Sequence, residues 1–188
     1  MKKLRMLTMV LTCTSLLGAC STSGKSSTEK APSPAMAESS DKMSNAAASS
    51  NDQDFQLQAV DGKTYSLSDF KGKKVYIKFW ASWCPICLAG LEEIDDLAKD
   101  APEDTVILSV VSPNHKGEQS EADFKNWYKG LDYKHLPVLL DPSGKLIEYY
   151  GVRVYPTSVF IDQDGKVSKT LPGHLEKEDI LKTFETIG

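Results

Sequence analysis

The chain has 188 residues, 40% of them hydrophobic and 26% charged, which leaves room for one domain of usual size and excludes a minimal scaffold. Its 22 Lys and Arg against 26 Asp and Glu give a net charge of −4. An acidic chain without a basic patch is a poor binder of nucleic acid or of an anionic membrane surface.

Residues 1–19, MKKLRMLTMVLTCTSLLGA, combine a basic start (Lys2, Lys3, Arg5) with an apolar run over 6–17 that is too short to span a bilayer comfortably. This is the pattern of an export signal. It ends in Leu17-Gly18-Ala19-Cys20, which resembles the lipobox of bacterial lipoproteins. The resemblance implies cleavage before Cys20, a diacylglyceryl group on its sulfur, and a protein anchored at the extracytoplasmic face of a bacterial cell membrane. The competing reading is ordinary signal cleavage nearby, with Cys20 an incidental thiol; Cys13 is discarded either way. Removal of residues 1–19 takes away three basic residues and no acidic one, moving the charge from −4 to −7. Residues 20–51 then hold the candidate anchor and a Ser- and Ala-rich stretch without aromatic residues, expected to be a disordered tether with a root-mean-square span of about 30 Å. A glycosylated stalk is the alternative, but proline is sparse.

From residue 52 to 188 apolar runs of strand length alternate with helical patterns, without an internal repeat, and this predicts one α/β domain. Residues 55–60 (FQLQAV) alternate as a half-buried strand, 61–63 (DGK) form a turn, and 64–67 return as a hairpin arm. Residues 74–80 (KVYIKFW) read as a central strand. Pro85 suits the first position of a helix in which Leu88, Leu91, Ile94 and Ala98 recur at spacings of three and four, so Cys84 and Cys87 stand at its N-terminus. Strands follow at 105–111 and 138–140, with a helix at 121–130 carrying Phe124, Trp127 and Tyr128. A last hairpin pairs 157–161 with 167–171 across the turn 162–166, and a helix over 177–186 closes the chain.

The pair in WCPIC can grip zinc, staple a loop or pass electrons. A structural zinc site needs four ligands, and His115, His135 and His174 stand alone in no ligand spacing, so no metal is expected. A staple closing so short a loop removes little unfolded-state entropy. Electron exchange needs a thiolate near neutral pH, and a helix N-terminus lowers a cysteine pKa from about 8.5 toward about 7. On that reading Cys84 attacks a partner disulfide and Cys87, one turn along and facing inward, resolves the mixed disulfide.

WCPIC between a strand and a helix, with Val154-Tyr155-Pro156-Thr157 later, resembles the thioredoxin family. The resemblance implies a thioredoxin fold, here with an N-terminal β-hairpin and a central strand-helix insertion between residues 111 and 138, as in the membrane-tethered TlpA/ResA-like branch. It implies a cis Pro156 packed beside the sulfurs, Tyr155 offering its backbone to an incoming peptide strand, Trp83, Pro85 and Ile86 in supporting positions, and no cofactor. Without the resemblance, Pro156 reads as an ordinary trans proline before an edge strand. The segments 78–85 (KFWASWCP), 124–131 (FKNWYKGL), 136–138 (LPV) and 154–156 (VYP) are also similar to the thioredoxin-like domain fused ahead of secreted bacterial methionine sulfoxide reductase modules. No such module follows here, so the implied client is a separate protein.

One residue departs from the family. Thioredoxins carry a buried Asp six residues before the first cysteine, and this chain has Lys78 there. If buried, Lys78 should have a lowered pKa and could accept a proton or pair with a thiolate; otherwise it snorkels to the surface. Strong oxidants of the family place a cationic partner between the cysteines, and Pro85-Ile86 supplies none, which favours a reductant. Three functions follow: a reductant serving a methionine sulfoxide reductase and recharged by a CcdA-like membrane electron donor; the same chemistry directed at cytochrome c maturation or run as an oxidant for exported proteins; or a surface-binding lipoprotein with a non-catalytic disulfide.

Overall fold

The computed structural model describes residues 54–187. The expected signal peptide, Cys20 and the tether lie outside the described residues, and among these no helix is long and apolar enough to cross a membrane. A two-stranded hairpin, β1 (Gln56–Gln58) and β2 (Thr64–Ser66), precedes the main sheet. The sheet contains β3 (Lys74–Phe79), β4 (Thr105–Val111), β5 (Val138–Leu140), β6 (Thr157–Ile161) and β7 (Val167–Pro172), in the order β5-β4-β3-β6-β7.

Strand β3 lies in the middle because both its faces find apolar cover, the situation in which a strand reads as a near-continuous hydrophobic run. It pairs parallel with β4 and antiparallel with β6. Val75, Ile77 and Phe79 enter one core with Leu108, Leu139 and Val159, while Tyr76 and Trp80 enter the other with Cys84, Cys87, Leu91 and Ile180. By strand alternation Lys78 belongs to the Tyr76 and Trp80 face, beneath the cysteines.

The single helix expected after Cys84 is two: α1 (Pro85–Ala89) and α2 (Leu91–Lys99), broken at Gly90, whose ψ of 9° leaves the α-helical range. The periodicity runs on across the break, so the pattern alone does not reveal it. Helix α2 buries Leu91, Ile94 and Leu97 at helical spacing, and also Asp95. Asp95 Oδ1 accepts from His135 N and Leu136 N, both at 2.8 Å, tying α2 to the segment entering β5. Asp95→Ala orphans both donors and is expected to cost about 2 to 3 kcal/mol in chemical denaturation.

The insertion is built from α3 (Glu121–Tyr128) and β5; no strand lies between them among the described residues, so its strand is β5 itself. Phe124, Trp127 and Tyr128 of α3 surround Trp80, with ring centroids 5.8, 6.3 and 6.5 Å away. The hairpin is shorter than its pattern because Ala59 leaves it to bridge Leu139, while Val60 N donates to Val138 O at 2.9 Å. It thereby covers the β5 edge of the sheet. A one-turn helix that the pattern does not predict, α4 (Lys145–Tyr149), follows Gly144 and buries Leu146 and Ile147 on the far face. Helix α5 (Lys177–Thr186) closes the near face through Ile180 and Phe184. Strand β7 is an open, largely exposed edge that ends at Pro172.

Candidate active site

Phe79 ends β3, and the chain turns through Trp80 to Trp83 into α1. Cys84 caps that helix in extended conformation with Pro85 in its first turn, where the missing proline N–H costs nothing. Cys84 and Cys87 form a disulfide, with Cα atoms 5.2 Å apart. The Cys87 N–H also points at Cys84 Sγ from 3.3 Å, the donor that would steady a thiolate once the bond opens.

The sulfurs are recessed, Cys84 being 3% and Cys87 0% exposed, while their chain neighbours Trp83 and Ile86, and Val154 just ahead of the Tyr155 ring that meets Trp83, form by chain position an apolar rim, 52%, 55% and 54% exposed. Large apolar side chains gathered on a polar surface mark a protein contact rather than a small-molecule cleft. The Tyr155–Pro156 peptide is cis. Pro156 O accepts from Gly173 N at 2.8 Å, whereas among the described residues the Tyr155 backbone takes no part in such a bond. The Trp83 and Tyr155 rings lie 6.0 Å apart. Burial, with the charges of Glu118 and Asp141, pushes the Tyr155 hydroxyl up to about 12, so it stays neutral.

A buried carboxylate holds the turn before the cysteines. Glu118 accepts from Ser82 N at 2.6 Å, Ser82 Oγ at 2.7 Å and Gln119 N at 2.8 Å. The loop carrying it holds two non-glycine residues at positive φ, Asn114 (64°) and Lys116 (48°), and passes Gly117 beneath the Trp83 indole. Left-handed residues gathered beside a reactive group are where backbone strain is commonly kept.

The Redoxin family pattern matches residues 44–186. The chain belongs to that family.

The crystal structure of the pneumococcal exposed lipoprotein thioredoxin Etrx1, from Streptococcus pneumoniae strain TIGR4, is similar to this Redoxin chain with 69% identity and a TM-score of 0.70, covering 71% of this chain and 99% of that one. An uncharacterized protein of Haemophilus influenzae is 52% identical over 136 residues, 72% of this chain and 87% of its own length. The thiol-disulfide oxidoreductase ResA of Bacillus thuringiensis subsp. konkukian is 33% identical over 133 residues, 71% of this chain and 74% of its own. The protein is a thiol-disulfide oxidoreductase of thioredoxin fold whose redox pair is the Cys84–Cys87 disulfide. Of the three uses open to a C-x-x-C pair, electron exchange is the one this Redoxin chain has.

Trp83, Pro85 and Ile86 flank the pair along the chain, the Tyr155 ring meets that of Trp83, Pro156 follows in the cis peptide, and Lys78 of β3 is 1% exposed. Burial holds the Lys78 ammonium down to about 8, opposed by the charges of Glu93 and Glu176. Unfolded, the group keeps its proton to near 10.5, so the charged form destabilises the fold fully below pH about 8, and that cost fades as pH rises toward 10.5. Lys78→Met should therefore be more stable than the wild type at neutral pH by about 2 to 3 kcal/mol, with the gap closing toward alkaline pH in denaturation curves.

Two parts of the site carry no sequence motif. Glu118 is one acidic residue among 26 and is marked out only by its burial. The three histidines do lie apart in the sequence, with His115 Nε2 against Pro142 O at 3.0 Å and the His135 N–H held by Asp95. His174, however, meets Glu93 and Glu176, with one potential ligand atom from each within 4.8 Å of the others. A divalent cation there would share its surroundings with the Lys78 ammonium, on which both carboxylates already act.

Proposed function

We propose that the protein is a lipid-anchored, extracytoplasmic reductant that delivers electrons from Cys84 and Cys87 to a separate methionine sulfoxide reductase. The observation that carries this reading is the apolar rim of Trp83, Ile86 and Val154 around recessed sulfurs, which suits a protein disulfide as client. The free Tyr155 backbone beside it offers an edge to which an extended client segment can add.

In the reducing direction the Cys84 thiolate attacks the client disulfide and forms a mixed disulfide. Cys87 then attacks Cys84 Sγ, closes the intramolecular bond and releases the reduced client. Pro85 and Ile86 put no cation between the cysteines, in keeping with a reductant. The similarity of segments 78–85, 124–131, 136–138 and 154–156 to reductase-fused domains supports the choice of client. The lipobox-like Leu17-Gly18-Ala19-Cys20 and the relative described as an exposed lipoprotein support the location. A reductant outside the cytoplasm needs recharging, for which a CcdA-like membrane donor is the partner we assign.

Cys87→Ala removes the resolving thiol, so the mixed disulfide on Cys84 should persist and be recoverable from the protein's own cell envelope. Methionine sulfoxide reductase in that adduct supports the reading. Apocytochrome c in its place would move the function to cytochrome maturation. A reduction potential near about −120 mV, rather than about −270 mV, would make the protein an oxidant and defeat the proposal.

A further inference from the structure

Next to the apolar rim stand two cations that the exchange steps above leave unused. Lys116 lies on the loop from β4 to α3, and Arg153 on the stretch that leads from α4 to the cis peptide; both are exposed. Lys116 has a left-handed backbone, at φ 48°, and its Nζ donates to Arg153 O at 3.2 Å, so the contact joins the two loops. Gly117, the next residue, comes so near Trp83 that a Cβ there would lie 3.6 Å from the indole Nε1. On the other loop Arg153 is followed by Val154 and Tyr155, whose ring meets that of Trp83 at 6.0 Å. Trp83, the residue before Cys84, is thus packed against chain neighbours of both cations.

Among the described residues no carboxylate lies within ion-pair distance of Lys116 or Arg153. The carboxylates whose charges act on the Tyr155 hydroxyl, Glu118 and Asp141, are buried and already engaged by protein donors. Glu118 accepts from Ser82 and Gln119 N, and Asp141 from Ser143 Oγ at 2.6 Å and Leu146 N at 2.8 Å. An ammonium has three N–H donors, so the bond to Arg153 O leaves two for a ligand, and a guanidinium offers a planar fork that fits a carboxylate. Val152 N donates to Ile147 O and Thr157 Oγ1 to Val154 O, both at 2.8 Å, which fixes the backbone on either side of Arg153. Two cations are too few to hold an anionic bilayer, for which clusters of about four to eight basic residues are usual. Their place at the rim suits a peptide instead.

We infer that Lys116 and Arg153 select the client by receiving carboxylates that flank its disulfide, so that the substrate class is a protein disulfide within an extended, acidic segment. The chain's net charge of −4 works against acidic proteins at large, and the two cations offset it only where an acidic side chain arrives beside Trp83. Selection therefore depends on where the client's charge sits as well as on its sign. Lys116 and Arg153 touch no reacting sulfur; they are specificity residues. The inference rests on the proposed exchange with a protein disulfide and not on which enzyme is served.

Two peptides of equal length, each closed by one disulfide, carry either two Glu or two Gln beside the same cysteine. The reduced full chain is mixed with each, and the second-order rate constant of exchange is read by acid quenching and thiol alkylation. At about 0.02 M ionic strength the Glu peptide is expected to react about tenfold faster than the Gln peptide. That advantage should fall below about twofold at about 0.5 M, where screening acts within about 4 Å. Arg153→Gln and Lys116→Gln should each lower the Glu-to-Gln ratio about threefold, and together abolish the preference. Arg153→Gln keeps the carbonyl that Lys116 uses, so it decides alone if Lys116→Gln disturbs the loop. A wild-type ratio of one or less overturns the inference, as does a ratio that is indifferent to salt or survives both substitutions. If neither peptide reacts with the wild type, the exchange reading itself fails.

Discussion

Cys84→Ser is expected to take disulfide exchange down to the uncatalysed background while leaving the domain folded. A serine oxygen cannot close a disulfide, and its proton stays in place at neutral pH. Cys87 cannot substitute, because it is fully covered and lies beneath the rim that a client meets. The stability change should be small. The bond joins positions only three apart, and in the chain-entropy account so short a loop contributes about 2 kcal/mol. Catalysed reduction of a disulfide peptide, measured beside thermal unfolding, checks both halves. Appreciable exchange by Cys84→Ser would remove Cys84 from the attacking role.

Glu118→Ala should weaken fold and activity together. Its carboxylate accepts three hydrogen bonds, two from Ser82 and one from Gln119 N, within a buried setting. Truncation leaves those donors with no acceptor in reach. Bonds to a charged group contribute about 1.5 to 3 kcal/mol each, and partial access of water to the loosened loop reduces the total, so a loss of about 3 to 4 kcal/mol is expected in denaturant. Ser82 lies two residues ahead of Cys84, so the same change frees the turn that aims the sulfur and sets Trp83 over Gly117. Misplacement by an ångström can cost about a hundredfold in rate, and we expect kcat/KM for a disulfide peptide to fall at least tenfold. Glu118→Gln, which keeps one acceptor oxygen, should lie between the two. Wild-type kinetics in Glu118→Ala would reduce the residue to a structural anchor.

Much of this could be read from local pattern. Strands 105–111, 138–140 and 157–161 and the helix 177–186 fall where runs of buried apolar residues or helical spacing put them, since burial on a sheet or helix face is written at periods of two or 3.6. What escaped depends on groups distant in the chain. The break at Gly90 exists because His174, more than eighty positions later, packs into it together with Lys78. Helix α4 spans only five residues, too few for a period to show, and is held by Leu146 and Ile147 entering the far core. Lys78 was conspicuous as a cation in a hydrophobic strand, but its burial and the carboxylates around it come from α2 and the β7–α5 loop, which no strand pattern encodes. Glu118 had no local signal of any kind.

The two borders of the main sheet are treated differently, and this bears on how copies of the protein tolerate crowding. At β5 the hairpin lays its own backbone along the border through Ala59 and Val60, so no foreign strand can dock there without first displacing it. At β7 the border is open, but Pro172 lacks the N–H that a ladder would need at that end, and the neighbouring Lys169 ammonium is tied back to Thr186 Oγ1 at 3.0 Å. Two molecules meeting border to border would have to desolvate that lysine and accept a broken ladder. The architecture thus resists the stacking of sheets into fibres even where many copies are packed side by side.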